Sequence, residues 1–335
     1  MAEPTYPLVP IMNILAAVLI SLSFLTSNLR GPYNRGVVML KGWVLVGLIN
    51  TSAQTILWHN STRVFAPVFC DISSHLAFGY SIGIPACSLI ITRRLWHMLA
   101  GDMPLDGSRI RREALIDYLL ALGAPALYMA TYYIVQGARF TIWEDYGCNT
   151  GAYRSGVAIL LLDIWPLLFP VASVVLYCWR ICLYFCRHWR TVTEALSGPT
   201  GLDRTRYVRI LALSLIDILI SLPIGIILLS INIRGQAFPF WPGWAAVHHN
   251  WQPVLVSAQE WQSDPIARFS IYWNEWLNVV YALVISVLLG AVGDMKRSYR
   301  TVFDSARDSE SGMRISRHIS GPEITDVGIT MSEVT

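Results

Sequence analysis

The side chains able to do covalent chemistry are few in this sequence, and their spacing forms no catalytic pattern. There are seven His and six Cys in 335 residues. His248 and His249 are adjacent, so on a helix or a strand they face different ways and make a poor metal pair. The sequence contains no His-Glu-x-x-His, no Walker loop and no Gly-x-Ser-x-Gly elbow. It therefore reads as no enzyme, and no cofactor or metal is implied. A second set of residues draws attention by its surroundings. Lys41, Asp117, Asp163 and Asp217, together with Asn50, sit inside long apolar runs. An ionisable group in a bilayer is costly and marks a functional or structural contact. Asp217 lies deep in its run and fits an interhelical hydrogen bond, a protonated acid, or a switch or ion site. Asp163 either faces a cavity or bonds a neighbouring Ser or Tyr. Lys41 and Asp117 lie near run ends and can snorkel to the membrane surface. No Lys is deep enough for a retinal-type Schiff base, and no chain of carboxylates crosses the full depth.

These residues need elements to hold them, and the composition says which. Hydrophobic residues make up 54% of the chain and charged ones 14%, with a mean hydropathy of +0.47. A soluble domain carries about 25% charged residues. A span needs roughly 20 apolar residues, and seven runs qualify, at about 8–27, 37–58, 70–95, 114–136, 156–181, 207–231 and 269–292. The fold class is thus an all-α membrane protein, a seven-helix bundle over residues 1–292, with a polar, Ser-rich tail over 293–335 that reads as disordered. The first run reads as a retained span rather than a cleaved signal. Net charge is +3, too small to imply nucleic acid. No internal repeat relates the halves, which weakens a transporter or channel reading but leaves it as an alternative.

Lys and Arg set the orientation. With the N-terminus outside, 20 of the 25 basic residues fall on the inner side, as the positive-inside rule requires. The inner set includes Arg93 and Arg94 at the end of the third run, Arg111 and Arg112 before the fourth, and Arg204 and Arg206 before the sixth. In this topology Cys70 and Cys148 both face the oxidising side, where a disulfide can pin the second outer loop over the bundle mouth; the alternative is two free thiols. Cys178, Cys182 and Cys186 recur every four residues at the inner end of the fifth run. Cys182 and Cys186 are candidate palmitoylation sites, or simply small interfacial residues. Asn60-Ser61-Thr62 is a glycosylation sequon or a polar helix cap. Pro85, Pro125, Pro166, Pro170 and Pro223 each remove an intrahelical hydrogen bond and allow a kink.

Several stretches resemble one family. Phe69-Cys70-Asp71-Ile72-Ser73-Ser74, then Ile84-Pro85-Ala86-Cys87-Ser88-Leu89 and Thr92-Arg93-Arg94-Leu95, look like the third span of fungal lipopeptide mating-pheromone receptors of the a-factor receptor type. Glu144-Asp145-Tyr146-Gly147-Cys148 resembles that family's second outer loop. Trp244, Val247-His248 and Trp251 resemble its third, and Tyr33-Asn34 with Trp43 its first inner loop and second span. The similarity runs from about Pro7 to Tyr299. The end of the seventh run, Leu289-Gly290-Ala291-Val292-Gly293, lacks the Phe-rich ending associated with the family.

The resemblance implies a plasma-membrane receptor for a short peptide pheromone with a farnesyl group and a methyl ester. It implies a heterotrimeric G protein on the inner side, a mating response, and membrane lipids and a second copy of the chain as further candidate partners. His75, Tyr80, Glu144, Asp145, Asp163, Trp273, Asn274 and Glu275 are the expected ligand contacts. Arg93, Arg94, Arg111, Arg112, Arg204 and Arg206 are the expected coupling face. A topology-only role, in which these Arg bind lipid head groups, stands beside it.

Overall fold

The computed structural model describes residues 5–28, 34–101, 106–184, 186–187, 204–233 and 239–288, with backbone alone for 26–28, 204–208 and 210. Seven helices are long and apolar enough to cross a membrane. They are α1 (Leu8–Asn28), α2 (Arg35–Leu57), α3 (Pro67–Leu99), α4 (Gly107–Val135), α5 (Gly156–Tyr184), α6 (Arg204–Ile233) and α7 (Pro265–Leu288). Each coincides with one run read from the sequence. The α3 helix extends about a turn beyond its run at both ends, because Pro67 at its first turn starts it cleanly and no breaker stops it before Leu99.

The centre of the bundle is α3, which packs against α2, α4, α5 and α6. Its residues Ile82 to Arg93 are all buried, as expected of a helix apolar on every side. Its close neighbours are admitted by small residues. A Cβ at Gly83 would lie 2.5 Å from the Trp43 ring, so only Gly lets α2 and α3 meet there. The main core joins Ile20, Leu40, Val44, Leu48, Ile90, Ile91, Leu95, Ala282 and Ile285.

Two prolines explain how α4 and α5 are built. A proline clashes with the carbonyl four residues earlier and cannot bond it. For Pro125 that carbonyl is Ala121's, and for Pro166 it is Leu162's. Both helices widen into a π turn there, over Leu119–Gly123 and Ile159–Asp163, with i→i+5 bonds from Leu119 to Ala124 and from Ile159 to Ile164. Each freed carbonyl is then taken by an aromatic donor of the adjoining helix. Trp43 Nε1 donates to the Ala121 carbonyl at 2.8 Å, and the Tyr128 hydroxyl to the Leu162 carbonyl at 2.7 Å. In an apolar phase an unmatched carbonyl costs several kcal/mol. The kinks therefore lock α2 to α4 and α4 to α5.

The ends of the bundle differ. At one, Cys70 near the start of α3 is bonded to Cys148, with Cα atoms 5.2 Å apart. At the other, Asp117 on α4 is buried to 1% exposure among Arg35, Arg93 and Arg94, at 3.4, 3.6 and 3.8 Å. Arg93 also pairs with Glu113. These are called the disulfide end and the arginine end below.

Three expectations change. Asp117 does not snorkel: three guanidiniums meet it where it is buried. Lys41 does not reach the surface either; it is 2% exposed and its Nζ donates to the Ser23 carbonyl at 3.2 Å, because α1 covers that turn of α2. Cys178 and Cys182 of α5 and Cys186 just beyond it do not share one environment. Cys178 is buried while Cys182 and Cys186 are exposed, since each four-residue step turns about 40° around a helix. A further addition is a small sheet in the loops of a chain read as all-helical. Arg204 and Arg206 belong to the first turn of α6, but their side chains lie outside the described residues, as does the tail read over 293–335.

Candidate ligand-binding site

The site has a lid, and the lid is a three-stranded sheet. Strand β1 (Thr141–Trp143) is central, paired antiparallel with β2 (Gly147–Asn149) and parallel with β3 (Val254–Val256). The first two strands lie between α4 and α5, and β3 between α6 and α7. The turn from β1 to β2 works because Gly147 and Asp145 adopt positive φ, 106° and 69°. Cys148 sits in β2, so the disulfide ties the whole sheet to α3. Glu144 joins the two loops: its carboxylate accepts from Ala258 N at 2.7 Å and its carbonyl from Trp261 Nε1 at 3.0 Å. Asp145 is buried and accepts from Asn60 N at 2.8 Å, with His59 Nδ1 at 3.2 Å, which pins the turn to the corner between α2 and α3. Arg139 adds a two-toothed ion pair to Asp71, with Nη2 to Oδ2 at 2.6 Å; that bond holds its guanidinium protonated, above the usual Arg value.

Beneath the lid lies a cavity of about 620 Å³, walled by α3, α4, α5, α6 and α7 and roofed by Trp143, Tyr146, Asn149 and Thr150. Along α6 its wall is mostly apolar: Ile220, Ile224, Leu228 and Ile231. Those residues recur at helical spacing over about 16 Å. Polar groups, Asp163, Asn232, Ser270 and Asn274, lie along α5, α6 and α7. The floor is Tyr281, whose hydroxyl donates to the buried Asp217 Oδ1 at 2.7 Å and so links α7 to α6. Roof and floor both carry a tyrosine: burial pushes the Tyr146 hydroxyl well above its usual pKa, with Tyr80 and Glu275 nearby adding to the shift.

The structure brings together four of the eight expected ligand contacts. Tyr80, Asp163, Trp273 and Asn274 line the cavity. The other four are elsewhere. His75 turns toward α4, its Nδ1 beside the Asp71 carbonyl at 2.7 Å and its ring edge-on to Tyr132. Glu144 and Asp145 hold the lid together. Glu275 is fully buried, and Asn13 of α1 donates to its carbonyl at 3.3 Å. Asp163 does both things weighed for it, facing the cavity and accepting a bond, though from Asn232 at 3.1 Å rather than from a Ser or Tyr. Asp217 makes the interhelical hydrogen bond. The sequence reading missed the α6 stripe and Tyr281. The stripe is legible as Ile220, Ile224, Leu228 and Ile231 at i, i+4, i+8 and i+11, but any lipid-facing stripe has the same spacing.

At the arginine end the six expected coupling residues divide. Arg93 is buried and spent on Glu113 and Asp117; Arg94 spans Asp117 and the Asn34 side chain that caps α2. Arg111 and Arg112 are exposed on the first turns of α4. Asn60 is also exposed, its Nδ2 2.9 Å from His59 Nε2.

Residues 8–307 match the family described as Pheromone A receptor. The chain belongs to that family. The Pheromone B alpha 3 receptor of Schizophyllum commune is 30% identical over 302 residues, 89% of this chain and 48% of its own length. Pheromone receptor 2 of Mycosarcoma maydis is 28% identical over 274 residues, covering 80% of this chain and 77% of that one. The Pheromone M-factor receptor of Schizosaccharomyces pombe is 25% identical over 286 residues, covering 83% and 73%. The chain spans about half the length of the Schizophyllum relatives. The family is one of multi-pass membrane receptors rather than enzymes, in line with the seven apolar helices, and it is the family that the third-span motif resembles.

Proposed function

We propose that this pheromone A receptor family member is a plasma-membrane receptor for a prenylated peptide pheromone, coupled to a heterotrimeric G protein. The disulfide end faces outward and the arginine end faces the cytoplasm, as the basic-residue count favours. The observation that carries the reading is the lidded cavity, with a mostly apolar stripe along α6 and the polar groups Asp163, Asn232, Ser270 and Asn274 in the same lining. That combination suits a ligand that is half lipid and half peptide. Each buried methylene of a lipid chain contributes about 0.8 kcal/mol, so the chain supplies affinity and the peptide supplies discrimination.

The same geometry supports a route for the signal. A ligand reaching the floor touches Tyr281, and Tyr281 is bonded to Asp217 near the middle of α6. Moving that bond shifts α6 against α7 close to Pro223, which interrupts the hydrogen bonding of α6. The arginine clamp holds α2, α3 and α4 together, so α6 is the part that moves relative to them. A G-protein α-subunit then docks beside the exposed Arg111 and Arg112, whose guanidiniums bond carbonyls and carboxylates. Arg93 and Arg94 position that face through Asp117 instead of touching the partner, while Arg204 and Arg206 begin the moving helix. Cys182 and Cys186, exposed at this end, are sites where palmitoylation would fix α5 to the membrane.

The test is expression in a pheromone-responsive yeast lacking its own receptor, challenged with synthetic farnesylated peptides and their unprenylated twins. Response to the farnesylated members alone is the expected result. Equal response to both, or none to any member of an exhaustive panel at verified surface expression, overturns the reading.

A further inference from the structure

We infer that the cavity reads the charge of its ligand beside the lipid chain, favouring a cation and excluding an anion, with Asp163 as the reading residue. The inference rests on the prenylated-ligand reading above and sharpens it to a substrate class. Among the described residues, the lining contains two carboxylates, Asp163 and Asp264, and no Lys, Arg or His. The two are not equivalent. Asp264 is already engaged, accepting from Ile266 N at 2.9 Å as the start of α7 turns, and it stands at the mouth. Asp163 lies within the span of α5, and among the described residues its hydrogen-bond partner is one amide, Asn232 Nδ2 at 3.1 Å.

The contrast is with the acids that have a basic partner; the buried Asp217, held by the Tyr281 hydroxyl at 2.7 Å, is not one of them. Asp71 meets Arg139, Asp117 meets Arg35, Arg93 and Arg94, Glu113 meets Arg93, and Asp145 meets His59. Each of those carboxylates has a basic partner in the protein. Among the described residues Asp163 has an amide dipole as its partner, although the lining it faces is largely apolar and a lone charge there is expensive. Among the described residues Arg154 comes near, bonding the Asn232 carbonyl at 3.3 Å, and it is not among the lining residues. A cationic group on the ligand would complete the pair and leave one Asp163 oxygen for Asn232. A carboxylate there would meet the like charge of Asp163 and, among the described lining residues, no counter-charge, so an anionic ligand is disfavoured.

The test uses three probes that share one lipid and differ in charge: lysyl-S-farnesylcysteine methyl ester (cation), N-acetyl-S-farnesylcysteine methyl ester (neutral) and N-acetyl-S-farnesylcysteine (anion). Binding is measured to the full chain in neutral phosphatidylcholine nanodiscs, with empty nanodiscs correcting for partition. The expected order is cation, neutral, anion, with roughly tenfold between the first two, the size of one charged hydrogen bond. Asp163→Asn should bring cation and neutral within about twofold, and Asp163→Glu should restore part of the gap. Thermal unfolding of each variant checks that it is folded. Equal binding of all three probes to the native chain, or a preference that survives in Asp163→Asn, overturns the charge reading and leaves the lipid reading standing. Failure of all three to bind a folded receptor removes the prenylated ligand and this inference with it.

Discussion

The two ends of the bundle use the same chemistry with opposite weight. Both hold a carboxylate with arginine. At the disulfide end Arg139 grips Asp71 with good geometry at 2.6 Å, yet both side chains are about one-third exposed, at 37% and 35%. At the arginine end the contacts to Asp117 are longer, 3.4 to 3.8 Å, but Asp117 is 1% exposed. Water screens the first pair and not the second. The disulfide end does not depend on its ion pair, because a covalent bond and a hydrogen-bonded sheet already hold it. At the arginine end, among the described residues, charges and apolar packing hold the helices with no covalent bond between them. The difference fits a receptor whose lid stays put while its opposite end rearranges: a salt cluster can change partners, and a disulfide cannot.

Breaking the covalent side should have the largest effect. Replacing Cys70 and Cys148 by Ser frees a loop closed over 78 residues, which the chain-entropy relation values at about 4.5 kcal/mol. The expected outcome is loss of most surface receptor, with impermeant maleimide labelling no thiol on the native chain. Labelling of Cys70 or Cys148 in native cells would show the bond unformed and remove the comparison's first half.

Breaking the ionic side comes next. Asp117→Asn leaves three guanidiniums facing a neutral amide, a loss of about 3 kcal/mol for a buried cluster. Thermal unfolding in nanodiscs should fall by several degrees, and basal signalling in the reporter yeast should rise as α2, α3 and α4 loosen. A fall in stability with no change in basal signalling would keep the clamp and deny it a role in switching.

The carboxylate of Asp117 was visible in the sequence, and so were the arginines near it. Their meeting was not, because Arg35, Arg93 and Asp117 come from three helices and the pairing is tertiary. The seven spans were legible because an apolar run of bilayer length has few other solutions. The pairing of Cys70 with Cys148 followed from topology, which leaves both at one end. The lid contacts of Glu144 and Asp145 were not legible for a physical reason: an acidic pair in a loop has the same composition whether it meets a ligand or pins a turn. The lid strands are three residues each, too short for period-two alternation to show, and the pairing of β1 with β3 joins segments over a hundred residues apart.

The proline locks give a smaller, sharper test within the bundle. Trp43→Phe leaves the Ala121 carbonyl without a donor, at a cost of about 2 kcal/mol. In a Pro125→Ala background the helix regains the N–H that bonds this carbonyl, so the same substitution should cost less than half as much. Tyr128→Phe with Pro166→Ala repeats the cycle at Leu162. Additive losses in both cycles would show the aromatic residues acting by packing alone.

The smallest effect should come from the pair with the best geometry. Arg139→Gln removes all three contacts to Asp71, yet both groups keep access to water when separated. Side-chain entropy and solvation offset most of what the contact supplies, and salt weakens the remainder. Surface expression and the unfolding midpoint should stay within error of the native chain, and raising salt should leave that comparison unchanged. The parallel measurement on Asp117→Asn gives the contrast its force, because the two substitutions neutralise one charge each in an arginine–carboxylate set and differ chiefly in burial. A loss for Arg139→Gln as large as that for Asp117→Asn would mean that burial does not separate the ends. The lid would then depend on its surface charge as much as on its disulfide, and the lid's fixity could no longer be assigned to the covalent bond.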